Sequence, residues 1–111
     1  MAYDADLANR VREAIAEEID VTEKAMFGGL AFLVGGHMSV AVSGQGGLLV
    51  RVAPEVSAAA LKLAHTRMME MRGREMPGWI RVAPEGVRTM RALRAWVRRG
   101  VEYARTLPPK G

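Results

Sequence analysis

The chain has 111 residues, half of them apolar and a quarter charged, with a formal net charge of +4 and no cysteine. That length can bury about two-thirds of its unfolded surface in one core without staples, and disulfides, thiolate metal sites and cysteine nucleophiles are excluded together. The opening Met-Ala-Tyr-Asp-Ala-Asp lacks the basic start and apolar block of a secretory leader, and no apolar run approaches the roughly 20 residues of a bilayer span, so a cytoplasmic protein without a membrane partner is expected.

Residues 4–19 read as an amphipathic helix, because Leu7, Val11, Ala14, Ile15 and Ile19 recur at spacings of three and four. The period then changes to two. Leu30, Phe32 and Val34 form one alternating run, Met38, Val40 and Val42 a second, and Leu48, Val50 and Val52 a third. Gly35-Gly36 and the Ser43–Gly47 segment separate the runs, so residues 29–52 read as a three-strand antiparallel meander. Residues 22–27 add a fourth stretch, joined through a bend or bulge at Gly28-Gly29.

Pro54 suits a first helical position, and residues 54–64 read as a short alanine-rich helix. Residues 67–72 and 78–82 form a second hairpin, broken by Gly73 and Pro77-Gly78. In the last helix Met90, Leu93, Val97, Val101, Ala104 and Leu107 make one stripe with Gly100, and Pro108-Pro109 ends it. Arg88, Arg91, Arg94, Arg98 and Arg105 fall on the opposite side. The order is α-β(3-4)-α-β2-α, an α+β two-layer sandwich with helices on one face of an antiparallel sheet. The other face is left to solvent or a partner.

Lys24-Ala-Met-Phe-Gly-Gly-Leu-Ala-Phe, followed by Gly36-His-Met and Leu48-Leu-Val-Arg-Val, resembles the N-terminal domain of the TfoX/Sxy family. Met76-Pro-Gly-Trp79 and Ala104-Arg-Thr-Leu-Pro-Pro-Lys110 resemble small stand-alone members. The resemblance marks Lys24, Met26, Phe27, Gly28, Gly29, Gly35, Gly36 and Trp79 as family positions with a structural role. It implies a fold similar to that of secretion chaperones. The namesake proteins regulate bacterial competence genes together with a transcription activator and carry a second, C-terminal domain. Residues 1–111 are expected to be a single TfoX N-terminal-like domain without it. The resemblance carries over no catalytic residues.

The residues themselves argue against chemistry. Gly44-Gln45-Gly46 begins like a dinucleotide fingerprint, but Leu49 stands at the third glycine position and a strand follows where a helix N-terminus is needed. His37 and His65 have no partner at metal-ligand spacing. Ser39, Ser43 and Ser57 have no accompanying oxyanion motif. The expectation is a non-enzyme with no cofactor and no metal.

Two interaction surfaces stand out. Four methionines, Met68, Met69, Met71 and Met76, crowd the second hairpin, and consecutive Met68-Met69 on a strand must point to opposite faces. They suit core packing on one side and a protein partner, or a second copy of the chain, on the other. Residues 1–65 carry a net charge of −3 and residues 66–111 one of +7, so the arginine face of the last helix suits an anionic partner, nucleic acid included. A small-molecule pocket beneath the Gly28-Gly29 bend, beside Phe27 and Phe32, is a third possibility.

Overall fold

A computed structural model describes residues 3–26 and 28–108. The first helix, α1 (Ala5–Ala14), starts where the Asp4 carboxylate accepts hydrogen bonds from the amides of Asp6 and Leu7, at 3.0 and 3.1 Å. It buries Leu7, Ala8 and Val11. It is shorter than the predicted 4–19. Ile15 caps it and stays buried, but the chain then turns away and leaves Ile19 71% exposed. Asp20 takes a positive φ of 60°, and its carbonyl accepts from the Gly35 amide at 3.0 Å, which directs the chain into the sheet.

The meander follows as β1 (Val21–Met26), β2 (Gly29–Val34), β3 (His37–Val42) and β4 (Leu48–Arg51). Gly35 and Gly36 have φ of 59° and 85°, the left-handed pair that a type I′ hairpin between β2 and β3 requires. Gly28 turns at φ 74°, whereas Gly29 begins β2. Phe27 lies outside the described residues. One residue of β3 is extra: Phe32 pairs with Val40 and Leu33 with Met38, so Ser39 bulges. Ser39 is buried, and its hydroxyl donates to the Phe32 carbonyl at 2.9 Å.

The predicted helix 54–64 is shorter. A 3-10 turn, Pro54–Val56, leads into α2 (Ser57–Ala60). Beyond it the Thr66 hydroxyl donates to the Leu63 and Ala60 carbonyls, and His65 turns at φ 64°. The second hairpin comprises β5 (Thr66–Met71) and β6 (Arg74–Val82). β6 starts four residues before the predicted strand and runs through Pro77-Gly78, where its pairing with β5 is interrupted between Met68 and Glu70. There the Gly78 amide donates to the Ser57 hydroxyl at 2.7 Å, and its carbonyl accepts from the Val52 amide at 2.7 Å. The break in one ladder is thus filled by contacts to α2 and the end of β4. A second 3-10 turn, Pro84–Val87, precedes α3 (Met90–Thr106), which is capped by the Thr89 hydroxyl on the Ala92 amide.

The six strands form one antiparallel sheet in the order β1-β2-β3-β4-β6-β5. Alternation sends Leu30, Phe32, Val40, Val42, Leu48, Val50, Ile80 and Val82 to one face. They pack against Leu7 and Val11 of α1 and Leu93, Trp96, Val97, Val101 and Ala104 of α3. The result is the expected α+β two-layer sandwich. Gly100 lies at the closest approach of α3 to the sheet, against the Ser39 bulge.

At the edge of the core Arg12 of α1 donates to both carboxylate oxygens of Glu23 on β1, at 2.7 and 2.8 Å. The hydrogen-bonding guanidinium holds the Glu23 carboxyl below its ordinary value. A lowered carboxyl pKa contributes stability that is present above the ordinary carboxylate range and is lost as pH falls through the folded value. Thermal melting of the wild type should therefore drop more steeply than that of Glu23→Gln between roughly pH 5 and pH 3. Parallel melting curves would show that the pair contributes nothing, as many exposed pairs do.

Candidate functional site

The sheet has a second face. Leu48 and Val50 enter the core, so Leu49 and Arg51 between them point away from it; by the same rule Trp79 and Arg81 flank Ile80 on the far side. Cross-strand pairing aligns Leu49 with Arg81 and Arg51 with Trp79. Met38 and Ala41 continue the surface onto β3, and Met69 extends it onto β5. The side chains enclose a shallow depression of about 510 Å³. Leu49, Met38, Met69, Met76 and Trp79 are half-buried there, and Met71 is 41% exposed. The helices cover the opposite face.

The two consecutive methionines separate as strand geometry demands. Met68 packs against the core, whereas Met69 lines the outer depression with Met71 and Met76. Of the family positions, Met26, Gly29 and Trp79 border the depression, Lys24 is exposed on β1, and Gly35-Gly36 make the hairpin described above. The Arg51 guanidinium stands 5.0 Å from the centre of the Trp79 ring and 5.4 Å from that of Tyr103 on α3, so it bridges the outer face to the last helix.

Opposed on the outer face are Arg67 of β5 and Arg81 of β6, a directly paired couple of like charges. Burial, with the neighbouring Arg67 charge second, pushes the Arg81 pKa below the ordinary arginine value. Arg81 donates to the Ser43 hydroxyl at 3.1 Å. Sequence reading did not single out Leu49, Arg51, Arg67 or Arg81. The signal was present: in Leu48–Val52 and Trp79–Val82 the residues left over from the core alternation share one face.

The arginine side of α3 is only partly available. Arg105 donates to the Glu18 carboxylate and the Ile19 carbonyl, both at 2.9 Å, and Arg94 stands 4.0 Å from Glu13. Arg94 thus faces α1, and Arg105 ties α3 to the turn that follows α1. Arg88, Arg91 and Arg98 are exposed and belong to none of the ion pairs among the described residues.

Among the described residues no group of three or more His, Asp or Glu side chains is placed to hold a metal ion. His37 is hydrogen-bonded to the Pro108 carbonyl, which ties the start of β3 to the end of α3. Ser39 and Ser57 are used by the bulge and the β6 kink, and Phe32 is wholly buried in the core. No helix among the described residues is long and apolar enough to cross a membrane.

The model of the TfoX N-terminal domain matches residues 13–104, from the end of α1 through to the last turn of α3. The chain belongs to the TfoX N-terminal domain family. No curated protein and no solved structure gives a significant match. The TfoX match spans all six strands and both sides of the sheet, so the open face is part of the family domain rather than an appendage to it.

Proposed function

We propose that this TfoX-family chain is a small, non-catalytic interaction module of the cytoplasm that contacts a protein partner through the open face of its sheet. The observation that carries the reading is the asymmetry of that sheet. One face is sealed by α1 and α3, while the other sets Leu49, Met69 and Trp79 at its centre. Apolar surface grouped in this way, with polar groups around it, is characteristic of association sites. The regulatory role that the TfoX resemblance implies makes a component of transcription control the expected kind of partner.

A photo-crosslinking amino acid placed at Leu49 or Met69 should give discrete protein adducts in cells, and one placed at Arg91 should give none. Adducts from Arg91 alone would overturn the assignment to the sheet. They would favour a second reading, association with nucleic acid through the exposed Arg88, Arg91 and Arg98, which belong to none of the ion pairs among the described residues. That reading requires affinity that falls steeply with salt.

A further inference from the structure

We infer that the open face docks an acidic amphipathic segment of a partner protein, with apolar side chains over Leu49, Met69 and Trp79 and a carboxylate between Arg67 and Arg81. The inference rests on the reading that this face is the interaction site, and adds the chemistry of the partner. Three observations point to it.

First, the Arg67–Arg81 couple lacks a counter-charge. The ion pairs among the described residues, Arg12–Glu23, Arg94–Glu13 and Arg105–Glu18, do not include either arginine. Two guanidinium groups directly opposite on adjacent strands repel, and Arg81 has only the neutral Ser43 hydroxyl as a side-chain partner among the described residues. A carboxylate held between two planar forks satisfies both.

Second, the charged and apolar features are continuous. A hollow of about 320 Å³ beside Arg67 and His65 shares Arg81 and Gln45 with the apolar depression of about 510 Å³. A single ligand with an acid at one end and apolar groups along its length spans both. Amphipathic segments bind sheet and groove surfaces in this manner.

Third, the alternatives fit less well. A second copy placed face to face would bring no excess of acids to Arg67 and Arg81, because Glu70 is the acid that lines the depression while Arg72 and Arg81 line it too. Single-stranded nucleic acid needs stacking platforms, yet Trp79 is the aromatic ring the described residues place on this face and Arg51 already lies 5.0 Å from its centre. Methionines, by contrast, adapt to apolar side chains of varied shape, and Met26, Met38, Met69, Met71 and Met76 border the depression.

The test is selection of a random displayed peptide library on the full chain at physiological salt. Binders should be enriched in Asp or Glu together with Leu, Phe or Met. A synthetic peptide taken from that pool should bind Arg67→Gln/Arg81→Gln about ten- to hundredfold more weakly than wild type, the loss expected for charged hydrogen bonds. The melting temperature serves as the folding control. Should the double variant fail to fold, Arg67→Gln alone, at the exposed member of the couple, should still weaken binding. Charge reversal, Arg67→Glu/Arg81→Glu, should turn the selected composition toward Lys and Arg.

Binders that are lost on Leu49→Asp but carry no acids would overturn the inference and leave the interaction site standing. Binders indifferent to Leu49→Asp and Trp79→Ala would overturn both. Mixed-sequence single-stranded DNA held by the same two arginines, or concentration-dependent dimerisation abolished by Leu49→Asp, would replace the acidic segment with another occupant.

Discussion

Phe32→Ala is expected to destabilise the domain by about 3–5 kcal/mol. Phe32 is fully buried in the middle of β2, where it faces α3, and it is the bulkiest of the wholly buried side chains. Removing its ring deletes the transfer energy of the aromatic carbons and leaves a hole the surroundings cannot close. The Phe32 carbonyl is held by Ser39, and β2 is paired on both sides. A loss of that size is a large share of the margin of a domain whose total stability is about 5–15 kcal/mol. Urea titration should show a large fall in the midpoint at an unchanged slope. A loss below about 1 kcal/mol would mean that the core is not centred on this ring.

Gly100→Ala tests the sign of an effect rather than its size alone. In an exposed helix the change stabilises by about 1 kcal/mol, because alanine has the higher helix propensity. At position 100 an added Cβ would intrude on the Ser39 carbonyl oxygen, lie 2.9 Å from the Ser39 carbonyl carbon and 3.0 Å from Cγ1 of Val40. Two of those atoms are backbone, fixed by the bulge and its hydroxyl hydrogen bond. Overpacking of this kind costs about 1–3 kcal/mol, occasionally more, and it outweighs the propensity gain. With backbone atoms in the way the cost falls at the upper end of that range, so the expected outcome is a net loss of about 2 kcal/mol, against a change near zero for the exposed Arg98→Ala. A stabilised Gly100→Ala protein would show that α3 sits farther from β3 than described.

The two contacts illustrate what was legible in the sequence. The strand runs centred on Phe32, Val40 and Val50 were readable because the period of two carries the whole core face. The last helix was readable because Leu93, Val97, Val101 and Ala104 keep one stripe over about three turns. Gly100 was recognisable as a member of that stripe, but its partner was not. The Ser39 bulge arises from pairing between strands, and nothing in the local sequence marks the extra residue. Helix ends were misjudged for a related reason. Ile15 and Ile19 share a helical spacing, yet the turn that must deliver the chain into β1 ends the helix between them. In 54–64 alanine-rich composition favoured a longer helix, but the helix is confined to Ser57–Ala60, with Ser57 accepting from the distant Gly78 amide and Thr66 folding back on the Ala60 carbonyl. The outer face was implicit in the same alternation that defined the core. The side chains Leu49, Arg51, Arg67 and Arg81 were the ones that the core reading set aside, and the sheet order brings them to the outer face.

The strands at the two margins of the sheet set a rule for how anything approaches it. β1 presents Thr22, Glu23, Lys24 and Ala25 exposed in succession, with opposite charges on adjacent residues. An incoming strand would have to accommodate both charges, a common defence against edge-to-edge growth. At the other margin the β5–β6 ladder loses register between Met68 and Glu70, so the rim is not a straight template for further pairing. Fibrillar stacking and strand donation are both disfavoured by this framing. The apolar plane is therefore framed by two rims, neither of which offers a regular ladder on which copies could propagate.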